Sequence, residues 1–127
     1  MGSNPIGPVF TLENFQEFLS ELQSSKLHFI VEGKKDEFSL RQLGVKNIKA
    51  INRQPLFQFI ESIDEKEVAI LTDLDSEGKK LYSELHYFLE KRKIKIDNCF
   101  RNFLFRGTDL KQIEGLHSFL LKQNVFI

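Results

Sequence analysis

The chain has 127 residues, of which 41% are apolar and 28% charged, and this composition predicts one globular domain large enough to bury a core of its own. Its 18 basic and 18 acidic residues give a formal net charge of zero, so no overall field attracts nucleic acid or membrane, and any phosphate-binding surface must be local. The single cysteine, Cys99, excludes an intrachain disulfide, and the lack of a ~20-residue apolar span or a secretory signal pattern predicts a cytoplasmic protein with no membrane partner.

The first third of the chain alternates helical and strand patterns. Residues 1 to 10 contain two glycines and two prolines, which is typical of an irregular arm. Thr11 is a good N-cap for a helix over about 12 to 24. A buried strand is predicted over 27 to 31, and a short helix follows it, with Gly44 placed to end that helix.

The middle of the chain repeats this alternation. A strand is expected at 47 to 51, and a helix at 54 to 63 has apolar residues at i, i+3, i+4 and i+7. The run from Val68 to Leu71 is apolar without interruption, as in a strand buried on both faces. A long amphipathic helix over about 77 to 92 comes next.

The last part is less regular. Residues 94 to 105 look β-like, with a break in the alternation near Cys99 that suggests a bulge. A turn at 107 to 109 leads to a helix that carries Leu110, Ile113, Leu116 or His117, and Leu120. Residues 124 to 127 are predicted to form a short extra strand.

Strands that alternate with helices favour a parallel sheet with right-handed crossovers. We therefore predict a single α/β, Rossmann-like domain over residues 11 to 127, with its core in 27 to 105. Its centre is a mainly parallel sheet of about four strands, flanked by helices.

Acidic residues follow two of the predicted strands. Asp73 and Asp75 are one residue apart after the central strand, and strand geometry would place both on the same side. Adjacent carboxylates repel each other, and a bound cation relieves that repulsion. Since open α/β sheets place ligands at the carboxyl ends of their strands, we expect a metal site there, with Glu32 at the end of a second strand.

A glycine and two lysines stand beside both groups of acids. Glycine allows a tight turn or a close ligand, and lysines near a helix N-terminus favour phosphate. The candidate phosphate-binding residues are Gly33, Lys34, Lys35, Gly78, Lys79 and Lys80.

Together these residues resemble a known family. The segments Phe29-Ile-Val-Glu-Gly33 and Ile70-Leu-Thr-Asp-Leu-Asp75, with Asp36 and Gly78, are similar to the Toprim domain of primases, topoisomerases and a nuclease that matures ribosomal RNA. The resemblance covers residues 27 to about 105, and the short chain looks most like the stand-alone small Toprim proteins of archaea and bacteria.

The resemblance implies Mg²⁺-dependent or Mn²⁺-dependent chemistry on the phosphodiesters of RNA or DNA. By it, Asp73 and Asp75 would coordinate the metal. Glu32 would act as general acid or base, with a raised pKa, or join the metal shell. Glu77 would be an outer ligand, and Asp36 would orient the loop.

A nuclease is the first functional hypothesis that follows. A non-catalytic nucleic-acid-binding or adaptor module that works with a larger protein partner is the alternative, and nucleotidyl transfer is a third.

Simpler interpretations stay open for the same residues. Asp73 and Asp75 also suit a turn and a helix cap, and Asp-x-Asp after a strand also occurs in haloacid-dehalogenase phosphatases and, less closely, in receiver domains. The lysines also suit a plain solvated surface. Arg101 and Arg106, interleaved with phenylalanines, suit a nucleic-acid platform or, as we favour, a core strand with outward arginines.

Overall fold

The structure is a computed structural model that describes residues 10–127. The predicted irregular arm, apart from Phe10, lies outside the described residues. The elements in chain order are α1 (Leu12–Ser24), β1 (His28–Val31), α2 (Lys34–Gln42), β2 (Ile48–Ala50), α3 (Leu56–Glu61), β3 (Glu67–Ile70), α4 (Ser76–Lys91), β4 (Lys95–Asp97), α5 (Cys99–Gly107), a 3-10 turn (Ile113–Gly115) and α6 (Leu116–Lys122).

The four strands form one sheet in the order β2-β1-β3-β4, and every neighbouring pair is parallel. Phe29 of β1 pairs with Ile48 of β2 on one side and with Ala69 of β3 on the other, and Ala69 in turn pairs with Asp97 of β4. The predicted single Rossmann-like α/β domain with a four-stranded parallel sheet is confirmed. Because β1 and β3 are the central strands, their carboxyl ends lie side by side.

The alternation of side chains along β1 and β3 divides the core into two layers. Phe29 and Ala69 face α1, α2, α5 and α6, while Ile30 and Ile70 face α3 and α4. The first layer contains most of the aromatic packing, in which Phe18 and Phe103 stack with ring centroids 4.5 Å apart. The high phenylalanine content of the sequence is thus largely a core feature.

Local sequence signals explain where the early helices begin and end. The Thr11 hydroxyl accepts from the Asn14 backbone N–H at 3.2 Å, and the Asn14 side chain accepts from the Thr11 N–H at 2.8 Å, so the predicted N-cap is present. Gly44 follows α2 with a φ of +90°, a conformation that glycine adopts without steric cost. Both predictions are confirmed.

The prediction of β structure over 94 to 105 is wrong beyond Asp97. Residues Cys99–Gly107 form helix α5, and Phe100, Phe103 and Leu104 contact the core at helical spacing. The Asp97 side chain accepts from the Cys99 backbone N–H at 2.8 Å and so helps to start the helix. The sequence pattern resembles that of a strand because the phenylalanines of this helix lie on more than one of its sides.

Two predictions for the last part of the chain are also wrong. Residues 110–112, where the last helix is predicted to start, are irregular rather than helical, and the backbone carbonyl of Lys111 instead accepts from the Leu74 N–H at 2.7 Å. Residues 124–127 are not a strand, because the side-chain amide of Gln16 pairs with both the N–H and the carbonyl of Phe126.

Within residues 10–127 no helix combines the length and the apolar character needed to span a bilayer.

Candidate functional site

The ends of the two central strands bring two of the predicted acids together. The backbone N–H of Asp73 donates to Glu32 Oε2 at 2.8 Å, although the two residues are 41 positions apart. This contact follows from the parallel pairing of β1 and β3, which continues as Leu71 N–H donates to the Ile30 carbonyl at 2.8 Å. The site therefore lies at the carboxyl edge of the sheet, where α/β folds place their ligands.

Asp73 and Asp75 lie in the loop after β3 rather than on the strand itself, which ends at Ile70. The strand geometry from which their same-side arrangement is predicted therefore does not apply to them, and Leu74, between the two aspartates, is 2% exposed and packs in the core. Both aspartates are partly exposed on either side of it. The loop thus presents two carboxylates because its middle residue is apolar.

Each aspartate also makes a structural hydrogen bond. Asp73 Oδ1 accepts from the Ile113 backbone N–H at 2.9 Å, and Asp75 Oδ1 accepts from the Gly78 N–H at 2.8 Å as the N-cap of α4. The interpretation of Asp75 as a helix cap is therefore confirmed. Only one oxygen of each carboxyl group is used in these bonds, so the other can still accept from a ligand.

Gly78 takes part in the same loop. A Cβ at this position would lie 1.9 Å from the Asp73 carbonyl oxygen, so only glycine fits. Its N–H bonds Asp75, and its carbonyl accepts from the Thr72 hydroxyl at 2.8 Å. Gly78 therefore shapes the loop of residues 71–75 between β3 and α4, which we call the aspartate loop, and its N–H is already bonded to Asp75.

Arg101 is buried beneath the loop that contains Asp73. It is 3% exposed, and its guanidinium donates to the carbonyl and hydroxyl oxygens of Thr72 and, at 3.0 Å, to the Asp73 carbonyl. It lies over the rings of Tyr82 and Phe105, with its Cζ 4.7 and 5.1 Å from their centroids. The prediction of an outward arginine on a strand is wrong, because α5 points Arg101 under the aspartate loop.

An open cleft of about 670 Å³ adjoins these carboxylates. The residues that line it are Glu32, Gly33, Lys34, Lys35, Asp36, Asn52, Arg53, Asp73 and Glu114. Of the two lysine pairs in the sequence, Lys34 and Lys35 border this cleft. Lys79 and Lys80 are exposed on α4 and are not among its lining residues; Lys79 Nζ instead lies 5.4 Å from the centre of the Phe105 ring.

Asn52 and Arg53 also line the cleft, although the sequence pattern does not predict a site there. They follow β2 with φ angles of 52° and 64°, in the left-handed region that non-glycine residues seldom adopt. The Asn52 N–H donates to the Glu32 carbonyl at 3.0 Å and so ties this turn to the site. A lone arginine after a short strand carries no sequence pattern that could have indicated this position.

Burial and the negative charges of neighbouring acids raise the pKa values of three acids in the cleft. Burial raises the pKa of Glu32, and the charges of Asp73, Asp75 and Glu77 add to this, against the Asp73 N–H bond that lowers it. Burial and the charges of Asp75 and Glu114 raise the pKa of Asp73. Asp36 is 7% exposed, and its pKa rises to about 6, through burial first and then through Asp73. The predicted rise for Glu32 is confirmed, with burial as the larger cause.

Asp36 also has the orienting contact that was expected of it. Its Oδ2 accepts from the Gly33 backbone N–H at 3.1 Å at the start of α2. Glu77 is exposed in the first turn of α4, close enough to influence the pKa of Glu32. His28 and Cys99 do not line the cleft.

The acids at this edge of the sheet offer carboxylate oxygens, which are the ligands that hard cations prefer. Among residues 10–127, no three His, Cys, Asp or Glu side chains converge as a ready-made metal cage. Mg²⁺ does not need one, since it is usually held by one or two carboxylates and completes its shell with water and phosphate oxygens. The like-charge crowding of Glu32, Asp36 and Asp73 is the kind of repulsion that such a cation relieves.

Comparison with known proteins gives relatives at the level of sequence and fold. The chain is 39% identical over 118 residues to a UPF0292 protein of Pyrococcus horikoshii, covering 87% of this chain and 89% of the relative. It is 35% identical over 119 residues to a UPF0292 protein of Methanosarcina barkeri, covering 87% and 83%. No protein-family model matches.

A solved structure described as a putative protein from Aquifex aeolicus superposes with a TM-score of 0.72 at 25% identity. The match covers 77% of this chain and 94% of that one. The sequence relatives therefore show the family of this chain, and the solved structure shows its fold.

Proposed function

The chain belongs to the UPF0292 family, and we propose that it is a Mg²⁺-dependent enzyme that acts on phosphodiester bonds of nucleic acid, as a nuclease of RNA or DNA. The observation that carries the proposal is the meeting of Glu32 and Asp73 at the carboxyl ends of the two central strands. Asp75 follows on the same loop, and Lys34 and Lys35 border the same cleft. In this proposal, carboxylates that would bind the metal ion lie beside lysines that would bind phosphate.

In this proposal Asp73 and Asp75 hold the Mg²⁺ ion, and Mn²⁺ would substitute for it. When bound, the ion would polarise the scissile phosphate and offset its negative charge. Glu32 moves the proton of the attacking or leaving oxygen, a role that suits a carboxyl group with a raised pKa. Lys34, Lys35 and Arg53 hold the nucleic-acid backbone at the rim.

The resemblance to the Toprim domain supports the same proposal. The resemblance implies that Glu32 is the general acid or base and that Asp73 and Asp75 are the metal ligands. It also includes Asp36, which bonds the Gly33 N–H after β1. The structure adds Arg101, whose guanidinium donates to the backbone carbonyls of Thr72 and Asp73. Since Arg101 is buried beneath the loop, we assign it a positioning role rather than a contact with substrate.

The second candidate is a non-catalytic nucleic-acid-binding or adaptor module that works with a larger protein partner. It is favoured by the structural hydrogen bonds of Asp73 and Asp75, which give both residues a purpose without a metal. A net charge of zero also leaves little general attraction for a duplex. Nucleotidyl transfer would use the same cation and differ in forming a longer product.

The test is a product assay with labelled single-stranded, duplex and structured RNA and DNA, in Mg²⁺, Mn²⁺ and EDTA. The proposal predicts shortened products in either metal and none in EDTA, and a transferase would yield lengthened ones when nucleotides are added. Glu32→Gln should remove the acidic-to-neutral inflection from the pH–rate profile. An absence of products on every substrate would favour the binding module.

A further inference from the structure

Phe38 is a large apolar side chain left in solvent beside the carboxylate cleft. It is 65% exposed and lies on α2, four residues after Lys34. Residues four apart on a helix are neighbours on one face, so the ring and the Lys34 ammonium group are presented together. The buried residues of this helix, Asp36, Ser39 and Leu40, face the other way.

The surface around Phe38 is continuous with the proposed active site. Phe38, Ser39 and Gln42 line a shallow cleft of about 510 Å³ that also includes Lys34, Lys35 and Glu114. Those last three residues line the carboxylate cleft as well. A ligand that extends from the carboxylates to the Phe38 ring would therefore pass the lysine pair.

The charged residues shared by the two clefts are Lys34, Lys35 and Glu114, and the two lysines suit the phosphate of an anion that also has an aromatic group. Lys34 and Lys35 are exposed, with no ion-pair partner among the described residues. Glu37, the acidic residue next to Phe38, is paired with Arg41 at 2.7 Å. A nucleotide has a phosphate for the lysines and a planar base for the ring, and stacking of a base on an aromatic side chain does not depend on the base identity.

We propose that Phe38, Lys34 and Lys35 form a binding site for an unpaired nucleotide of single-stranded nucleic acid, with the base stacked on Phe38 and its phosphates on the lysines. The inference rests on the proposed function and deepens it, because it names the substrate class. In a duplex, each base is stacked between its neighbours, so only an unpaired base can offer its face to Phe38. The substrate would therefore be single-stranded where it crosses α2.

The experiment measures binding alone, in EDTA, by fluorescence anisotropy. The probes are labelled single-stranded DNA and RNA of roughly 12 nucleotides, the matching duplexes, and an abasic chain of the same length. Phe38→Ala should weaken single-strand binding about fivefold or more and leave abasic binding unchanged, while Phe38→Tyr should bind like wild type. A double Lys34→Ala, Lys35→Ala variant should weaken the binding of both the single strand and the abasic chain, and should make the binding affinity less dependent on salt.

Tyr87→Ala is the matched control. Tyr87 is 53% exposed and has Lys91 Nζ 4.5 Å from its ring, but it lies near the far end of α4. This variant should bind like wild type.

Two binding results would overturn the inference: Phe38→Ala binds single strands like wild type, or it loses abasic binding as much as single-strand binding. A changed oligomeric state of Phe38→Ala in light scattering would also overturn it, because that would indicate a protein interface. Wild type that binds no single strand would overturn it too. Because no metal is present, Phe38-dependent binding without later cleavage in Mg²⁺ would reject only the proposed catalysis. Cleavage with Phe38-independent binding would reject only this site.

Discussion

Gly78 lies directly against the backbone of Asp73, so that a Cβ at position 78 would come within 1.9 Å of the Asp73 carbonyl oxygen. The first turn of α4 and the aspartate loop are thus packed backbone against backbone. The Thr72 hydroxyl closes the same contact by donating to the Gly78 carbonyl at 2.8 Å. This contact sets where the Asp73 carboxylate stands relative to Glu32.

Gly78→Ala should therefore displace the loop and destabilise the protein. Overpacking of this kind typically costs about 1–3 kcal/mol in the free energy of unfolding, and a backbone neighbour cannot move aside as a side chain would. Urea unfolding followed by circular dichroism measures the change. Gly33→Ala is the control, because a Cβ there meets nothing within 4 Å; equal losses for the two variants would contradict the contact.

Arg101→Met should destabilise the protein by about 2–3 kcal/mol, because it leaves buried carbonyl oxygens of the aspartate loop without their donor. The apolar stem of Met retains most of the packing against Tyr82 and Phe105. Arg101→Lys should recover part of the loss, since an ammonium group can reach fewer acceptors. Thermal unfolding of the three proteins tests this, and unchanged stability in Arg101→Met would show that the guanidinium does not support the loop.

Asp36 should make the metal-free protein less stable as the pH rises. Its folded-state pKa of about 6 exceeds the ordinary value of 3.8, so the folded protein binds this proton more tightly than the unfolded chain does. The resulting stability is fully present below the ordinary value and is lost as the pH rises through about 6. Asp36→Asn should be more stable than wild type at pH 7.5, by roughly 1–3 kcal/mol, because the burial of a charge is removed.

Unfolding in EDTA from pH 4 to 8 measures this difference. Asp64→Asn serves as the control, because Asp64 is exposed just before β3, at the opposite edge of the sheet. An Asp36→Asn protein with the same pH slope as wild type would contradict the assignment.

Asp75→Asn and Asp75→Ala should differ in stability although both remove the charge. Asn accepts the Gly78 N–H as Asp does and is an equally good N-cap, so Asp75→Asn should unfold within about 0.5 kcal/mol of wild type. Asp75→Ala loses the cap and should cost about 1 kcal/mol. Urea midpoints distinguish the two, and equal stability of both variants would show that the cap contributes little to α4.

The sequence predicted the fold well where periodicity and end signals agreed. The uninterrupted apolar run before Asp73, and the Glu-Gly and Asp-x-Asp segments after two strands, were enough to predict that Glu32 and Asp73 follow neighbouring parallel strands. Thr11 and Gly44 were identified because capping depends on local chemistry. Each of these features lies within a few neighbouring residues.

The failures involve partners that are distant in the chain. The sequence pattern around Arg101 favours an outward residue of a strand, because its actual partners, Thr72 and Asp73, lie 29 and 28 residues away. The apparent strand at 124–127 was prevented by Gln16, which lies 110 residues from Phe126. Such contacts depend on the completed fold, so local patterns do not contain them.

The central claim is that the carboxylates at the ends of β1 and β3 carry metal-dependent phosphodiester chemistry. The most direct test is single-turnover cleavage of labelled single-stranded RNA and DNA in Mg²⁺ by wild type, Asp75→Asn and the control Asp64→Asn. We expect Asp75→Asn to lose at least about a hundredfold in rate while it remains folded, and Asp64→Asn to cleave like wild type. Cleavage by Asp75→Asn at the wild-type rate would contradict the claim.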